Sequence, residues 1–469
     1  MKIEKLKEDL EYRPRPVWDV LKTRDRERVF SLGEAYKDFL DWAKTEREAV
    51  SCIMEAASRE GYVKDPRTGP PQKMMRVLHE KCIALVRPGK SPLEEGMRLI
   101  VSHIDSPRLD LKQRPLYEEA DLGFMKTHYY GGVKKYHWVA RPLALHGRIV
   151  KGDGSRLDLA VGEDPEDPVF AILDLLPHLA RKTQYEKKLE EAIPAEKLNL
   201  LVGGIPLGDH ETKERFKLAV LDHLHRRYGI VEEDFVSAEL EVVPAEKARD
   251  VGWDRSLVGG YGQDDRICAF ASLRALLDGE EKSEKTALVL FVDKEETGSD
   301  GATGAKTRLI ESIVQDLLVL EGRRPDPRTV YRVLAASKAL SGDVNGALDP
   351  DYQDVHEKRN AAMLGYGVCL TKFMGRGGKV GANDANAEYV GWLRKLFSEQ
   401  GVVWQTGELG KVDAGGGGTV SKFLSVYGME IIDCGPPVLS MHSPFEISHK
   451  GDLYMTYKGY RAFLETSSD

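Results

Sequence analysis

The run Ala287-Leu-Val-Leu-Phe-Val292, followed at once by Asp293-Lys-Glu295-Glu296, constrains the fold of this chain more than any other stretch. Unbroken apolar character with β-branched and aromatic residues is the pattern of a short, fully buried strand, and glycines at 298, 301 and 304 supply the sharp loop after it. In open α/β sheets, ligands collect outside the carboxyl ends of the strands, so Glu295 and Glu296 fall where chemistry is expected. An acidic pair after a strand is also what a solvated loop looks like. Buried strands, however, seldom end by crowding carboxylates together without a cation, and other segments repeat the pattern.

Met97-Arg-Leu-Ile-Val-Ser-His103-Ile-Asp105-Ser-Pro107 places a histidine just past an apolar run, with an aspartate two residues on and a proline that stops the strand. Neutral His103 can ligate a metal through one ring nitrogen, and Asp105 can fix the ring or orient a neighbouring ligand. Gly259-Gly-Tyr-Gly-Gln-Asp264-Asp265-Arg266 precedes a helical pattern with apolar residues at 267, 270, 273 and 277. Asp264 or Asp265 suits the cap of that helix, and a carboxylate can also bridge two cations. The segment from Thr329 to Ser337 reads as a strand, after which the chain reaches Ser341-Gly-Asp343. Met429-Glu-Ile-Ile-Asp433-Cys-Gly435 reads as a strand broken by glycine and proline, followed by Met441-His442-Ser443 in a loop.

Five ordered motifs then carry a resemblance: Ser102-His-Ile-Asp-Ser-Pro-Arg-Leu109, Asp264-Asp-Arg266, Asp293-Lys-Glu-Glu-Thr-Gly-Ser299, Ser341-Gly-Asp343 and Met441-His-Ser443. Through them, and through Tyr130-Gly-Gly132 and Pro177-His-Leu-Ala180, the chain resembles the aspartyl aminopeptidase and vacuolar aminopeptidase I family of dinuclear zinc exopeptidases. The resemblance implies one metal held by Glu296 and His442, a second by His103 and Asp343, and Asp264 bridging both. It makes Glu295 the general base and places Asp105 beside it in the catalytic set. Two carboxylates and a histidine per metal leave room for water and substrate, as catalytic zinc sites require. Such oxygen-rich ligation also accepts cobalt or manganese.

The implied activity is removal of the N-terminal residue from short peptides. Family members that prefer acidic residues carry a histidine three positions after the ligand aspartate, where this chain has Gly346. Lys379 and His178 are the basic candidates for a substrate carboxylate, so acidic and neutral first residues both stay open. A dinuclear phosphoesterase would use similar ligands but needs cations for phosphate, with Arg266 and Arg376 as nearby candidates. A metal-stabilised scaffold would have no use for Glu295.

The expected fold class is α/β: a mixed-sheet zinc-exopeptidase catalytic domain with helices on both faces, plus an inserted β-rich domain. No ligand motif falls between 103 and 264, where strand-like segments such as Leu143–Val150 and 235–243 and a charged helical stretch near 181–192 occur instead. The expected division is a discontinuous catalytic domain, 1–112 and 250–469, interrupted by an oligomerisation or lid domain over 113–249. The resemblance implies that this insertion builds a tetrahedral dodecamer enclosing the active sites. The tetraglycine at 415–418 is expected where backbone must pass close to the site or substrate.

With 469 residues, 41 % of them hydrophobic, the chain can bury more than one core. Five cysteines without a Cys-x-x-Cys pair argue against a disulfide framework and fit a reducing cytoplasm. The charged start lacks the apolar stretch of a signal peptide, and no run has the length of a membrane span. A net charge of −8 argues against a nucleic-acid partner.

Overall fold

A computed structural model of the chain describes residues 2–66 and 68–467. Its larger sheet has nine strands in the order Val63–Lys64, Met74–Leu78, Cys82–Arg87, Ala287–Val292, Arg98–His103, Lys338–Ser341, Glu430–Gly435, Val368–Thr371 and Trp404–Thr406. The four central strands, from Ala287–Val292 to Glu430–Gly435, run parallel, and antiparallel neighbours flank them on both sides. This is the mixed sheet that the sequence leads one to expect.

Alternation within the buried strands divides the sheet's two faces. Ile100, Val289, Phe291, Leu340 and Ile432 pack into one core with helices Thr23–Trp42, Gln263–Leu277, Ala387–Glu399 and Lys450–Glu465. Their neighbours Leu99, Val101, Leu288, Leu290, Ala339 and Ile431 turn to the other face, under helices Leu309–Leu320 and Pro327–Ala336. Each such side chain contributes about 1.5–3 kcal/mol of transfer free energy. Truncating the fully buried Phe291 to alanine would cost about 3–5 kcal/mol, because neither face can collapse into the gap.

A second, seven-stranded sheet is antiparallel throughout, with every strand drawn from residues 108–244. It has its own core around Trp138, Leu145, Leu200 and Val242, against which helix Arg215–Tyr228 lays Val220, Leu221 and Leu224. Strand Leu143–Val150 lies where the alternation places it. The strand expected over 235–243 begins later, at Ala238, because Glu232–Ser237 closes into 3₁₀ turns. The charged stretch near 181–192 forms a wide turn over Arg181–Tyr185 and a single helical turn, Leu189–Ala192.

The segment 329–337 is not a strand. It belongs to helix Pro327–Ala336, whose first turn is capped by Asp326 accepting from Thr329 N–H at 3.1 Å, with Pro327 in the first helical position. Val330, Val333 and Leu334 line its buried side, and the strand follows as Lys338–Ser341. The tetraglycine serves backbone packing between loops. A Cβ at Gly416, where φ is +112°, would stand 1.9 Å from Gly375 O. All five cysteines are buried free thiols, and no helix among the described residues is long and apolar enough to cross a membrane.

Candidate metal centre

Parallel register brings the ends of the central strands to one edge of the large sheet. His103 closes its strand opposite Val292, so Asp293–Glu296 starts beside it. On the other side, strand Lys338–Ser341 runs on through Gly342, whose N–H donates to Val101 O at 2.7 Å, to Asp343. Strand Glu430–Gly435 leads through Pro437–Val438 to the turn that holds His442 at a φ of +64°. Asp264 arrives from the opposite direction, at the start of helix Gln263–Leu277. The first residue before that helix is Gly262, and Asp264 and Asp265 both have non-helical backbone angles at a kink in its first turn; the Asp265 oxygens accept no hydrogen bond, so Asp265 makes no side-chain cap.

These ends converge. His103 Nε2 lies 3.2 Å from Asp264 Oδ1, and His442 Nε2 lies 3.2 Å from Asp264 Oδ2 and 3.3 Å from Glu296 Oε1. One donor atom each from His103, Asp264 and Glu296 fall within 4.8 Å of one another. Asp343 joins them electrically: burial raises its carboxyl well above the usual range, Asp265 adds to the rise and His103 opposes it.

Burial and crowding shift the charge of this cluster. Burial, then Asp264, drives the Glu296 carboxyl well above its ordinary value. Burial disfavours charge on His442, but the hydrogen bond to Asp264 and the charge of Glu296 outweigh it and push the ring up to about 10. His103 is likewise raised against burial by Asp105 and Asp264. Glu296 Oε1 is buried and accepts no hydrogen bond. Carboxylates aimed at two imidazoles, with an orphaned buried oxygen among them, fit a zinc ion in both donor chemistry and charge.

Two buried carboxylates hold this set from behind. Asp105 accepts from Glu295 N–H at 3.1 Å through Oδ1 and from Glu296 N–H at 3.2 Å through Oδ2, and its Oδ1 stands 3.4 Å from His103 Nδ1. Glu446 accepts from His442 N–H at 2.7 Å and from Asp264 N–H at 3.1 Å, so one carboxylate ties together two segments far apart in sequence. Burial, then Asp264, raises the Glu446 carboxyl, and the N–H donors of Asp264 and His442 oppose that rise. His442 Nδ1 meets Gly132 O at 2.9 Å, which fixes the ring and leaves Nε2 facing Asp264 and Glu296.

His103, Asp105, Asp264, Glu296 and His442 thus gather at one place, with the Glu295 backbone held by Asp105 and Asp343 coupled to the group by charge, whereas Lys379 and His178 have no contact with the cluster. Lys379 Nζ donates to Asp384 at 2.8 Å and lies over the Phe373 ring, and His178 sits on the short helix Pro177–Ala180. Glu446 was not among the residues expected from the sequence. Its signal was modest: a glutamate four positions after His442, between Phe445 and Ile447. Tyr130, whose hydroxyl donates to Asp105 Oδ2 at 2.7 Å, stood out only as part of a family segment.

Comparisons with known proteins identify the family. The family model described as aminopeptidase I zinc metalloprotease (M18) matches residues 39–464. A probable M18 family aminopeptidase 1 of Clostridium acetobutylicum is 49 % identical over 95 % of this chain and 97 % of its own length. A solved M18 aminopeptidase from Thermotoga maritima superposes with a TM-score of 0.93 at 47 % identity, over 97 % of this chain and all of that one. A mature yeast aminopeptidase 1, solved as a dodecamer, shares the fold at a TM-score of 0.75 and 22 % identity, over 93 % of this chain and 97 % of its own. With the motifs, the converging ligands and matches of this extent, the chain belongs to the M18 family of aminopeptidase I zinc metalloproteases.

Proposed function

We propose that this zinc aminopeptidase removes the N-terminal residue of short peptides at a two-metal centre. Glu296 and His442 would hold one ion, His103 and Asp343 the other, and Asp264 would serve both. The observation that carries this reading is the placement of Asp264 between the two imidazoles, with one oxygen 3.2 Å from His103 Nε2 and the other 3.2 Å from His442 Nε2. When bound, zinc supplies a Lewis acid for the peptide carbonyl and lowers the pKa of water.

The chain's own residues supply the proton transfers. Burial raises Glu295 to about 7, with Asp105 and Asp264 adding to the rise and His103 and His442 opposing it. A carboxylate so tuned takes a proton from the attacking water on its side-chain oxygen and returns it to the nitrogen of the leaving amine. Asp105 keeps that carboxylate in place by holding the Glu295 and Glu296 backbone. The free α-amino group of the peptide is the natural partner of the surplus negative charge, which favours chain ends.

We infer that the β-rich part, expected over 113–249 and carrying a sheet whose first strand starts at Arg108, is a separate unit that mediates assembly into a dodecamer. None of the proposed ligands lies in it, and Leu173, Leu176, Leu179, Tyr185 and Leu189 are all exposed along one of its segments. Five buried free thiols suit work in a reducing cytoplasm. Light scattering tests the assembly: a particle of dodecamer mass is expected, and a monomer or dimer at working concentration would refute it.

The activity is tested with zinc-loaded protein and a panel of peptides bearing acidic or neutral first residues, each with a free or acetylated N-terminus. Release of the first residue from free but not acetylated peptides is expected. Equal cleavage of both, or hydrolysis of phosphate esters in place of peptides, would overturn the reading.

A further inference from the structure

The turn Tyr130-Gly131-Gly132, which leaves the second sheet, touches the metal centre at three consecutive residues. Tyr130 Oη donates to Asp105 Oδ2 at 2.7 Å. Gly131 lies so close to Glu296 that a Cβ there would come within 3.2 Å of the Glu296 Cβ, at a φ of +71° that already favours glycine. Gly132 O holds His442 Nδ1 at 2.9 Å. The end of this strand and its turn thus touch the proposed ligands Glu296 and His442 and, through Asp105, the support of the proposed base.

Tyr130 is itself anchored. It is the last residue of strand Leu122–Tyr130 and pairs across the strands with Arg108, whose guanidinium lies 4.0 Å from the centre of its ring. Arg108 is buried and held by Glu241 at 3.0 Å, Asp110 at 2.9 Å and Glu46 at 3.4 Å, and Lys81 binds Glu46 at 3.0 Å. Lys294, immediately before the proposed base, places its Nζ 5.4 Å from the same ring. Asp105, in turn, has its oxygens engaged by Tyr130, the two glutamate N–H groups and the His103 ring. The Tyr130 hydroxyl is the one contact among these that comes from outside the large sheet and its loops.

We propose that Tyr130 is a positioning residue for the hydrolysis: anchored by Arg108 on the second sheet, its hydroxyl orients Asp105 and thereby sets the backbone placement of Glu295 and Glu296. The charged cluster of Glu46, Lys81, Arg108 and Glu241 is then the seat on which the second sheet aligns the catalytic loop. This inference rests on the peptidase reading above, since it assigns Tyr130 to the same loop.

Tyr130→Phe keeps the ring and its contact with Arg108 and removes only the hydroxyl. The expected result is a fall in kcat of about 10- to 100-fold, the usual cost of losing such a supporting hydrogen bond. KM should stay within about twofold, because the substrate is not touched. Zinc should also pass to a chelator faster than from the unaltered enzyme, while the thermal midpoint stays close to it. Arg108→Lys, which keeps the charge facing Glu46 and Glu241 but loses the planar contact with the Tyr130 ring, should give a smaller change of the same kind. Should Tyr130→Phe fail to fold, Arg108→Lys decides the matter by the same split and the same chelator assay. A folded Tyr130→Phe enzyme with unaltered kcat and zinc retention would overturn the proposal, as would a rise in KM alone. If the unaltered zinc-loaded enzyme releases no amino acid at all, it is the peptidase reading that fails, and the chelator assay still measures the effect of Tyr130 on the metal.

Discussion

Glu446 and His442 stand four residues apart, and the Glu446 carboxylate accepts the His442 backbone N–H at 2.7 Å while its other oxygen takes the N–H of Asp264 at 3.1 Å. Two loops that share no local sequence are joined at a single buried group, and the imidazole and carboxylate they carry meet at 3.2 Å. A glutamine in this position has one acceptor where two donors converge. Glu446→Gln is therefore expected to weaken zinc binding by about 10- to 100-fold, with little change in the fold. Zinc titration against a competing chelator measures this, and unaltered affinity would show that the clamp is dispensable.

Replacing the shared ligand should differ from replacing a terminal one. Asp264→Asn removes the negative charge that faces both imidazoles and turns one of its two oxygens into an amide nitrogen, so both of the proposed metals should be weakened. His103→Ala should lower mainly one. Metal analysis of the purified variants separates the cases, and two zinc per chain retained by Asp264→Asn would assign the bridge elsewhere.

Stability should depend on His449 at mildly acid pH. Its Nε2 lies 3.0 Å from the Trp18 indole nitrogen and its Nδ1 3.1 Å from the Gly451 nitrogen; the neutral ring accepts from one of these donors, and a protonated ring accepts from neither. Burial lowers the ring from 6.5 to about 4, with Asp254 opposing. Because the folded value is below the unfolded one, the unfolded chain binds the proton first. The contribution is intact above pH 6.5 and is lost as pH falls toward 4, amounting to about 3 kcal/mol. Urea unfolding at pH 7 and pH 4 should show a loss greater by about this amount in the unaltered chain than in His449→Gln; equal losses would contradict the assignment.

What could be read from the sequence was what local pattern determines. The strand Ala287–Val292 is apolar on both faces, and its boundaries in the structure coincide with its pattern. His103 and Glu296 were legible as candidates because each lies at or just past the end of a parallel strand, whereas Asp264 stands at a helix start outside that sheet and was singled out by its motif. The segment 329–337 was misread because Val330, Val333 and Leu334 sit among other β-formers, although Asp326-Pro327 just before them is a helix start. Glu446 and Tyr130 were beyond local reading for a different reason. Each acts through a hydrogen bond to a segment brought near only by the tertiary fold, and neither the spacing nor the composition around them records that partner.

The central claim is that Glu295 moves the proton at a zinc centre held by its neighbours. The most direct measurement is turnover of a short peptide by Glu295→Gln at verified zinc occupancy, since the amide keeps the shape of the side chain and cannot accept the proton. The account predicts unaltered zinc content with turnover reduced by about 10²- to 10⁴-fold. A fully zinc-loaded variant that retains activity near that of the unaltered enzyme would contradict it.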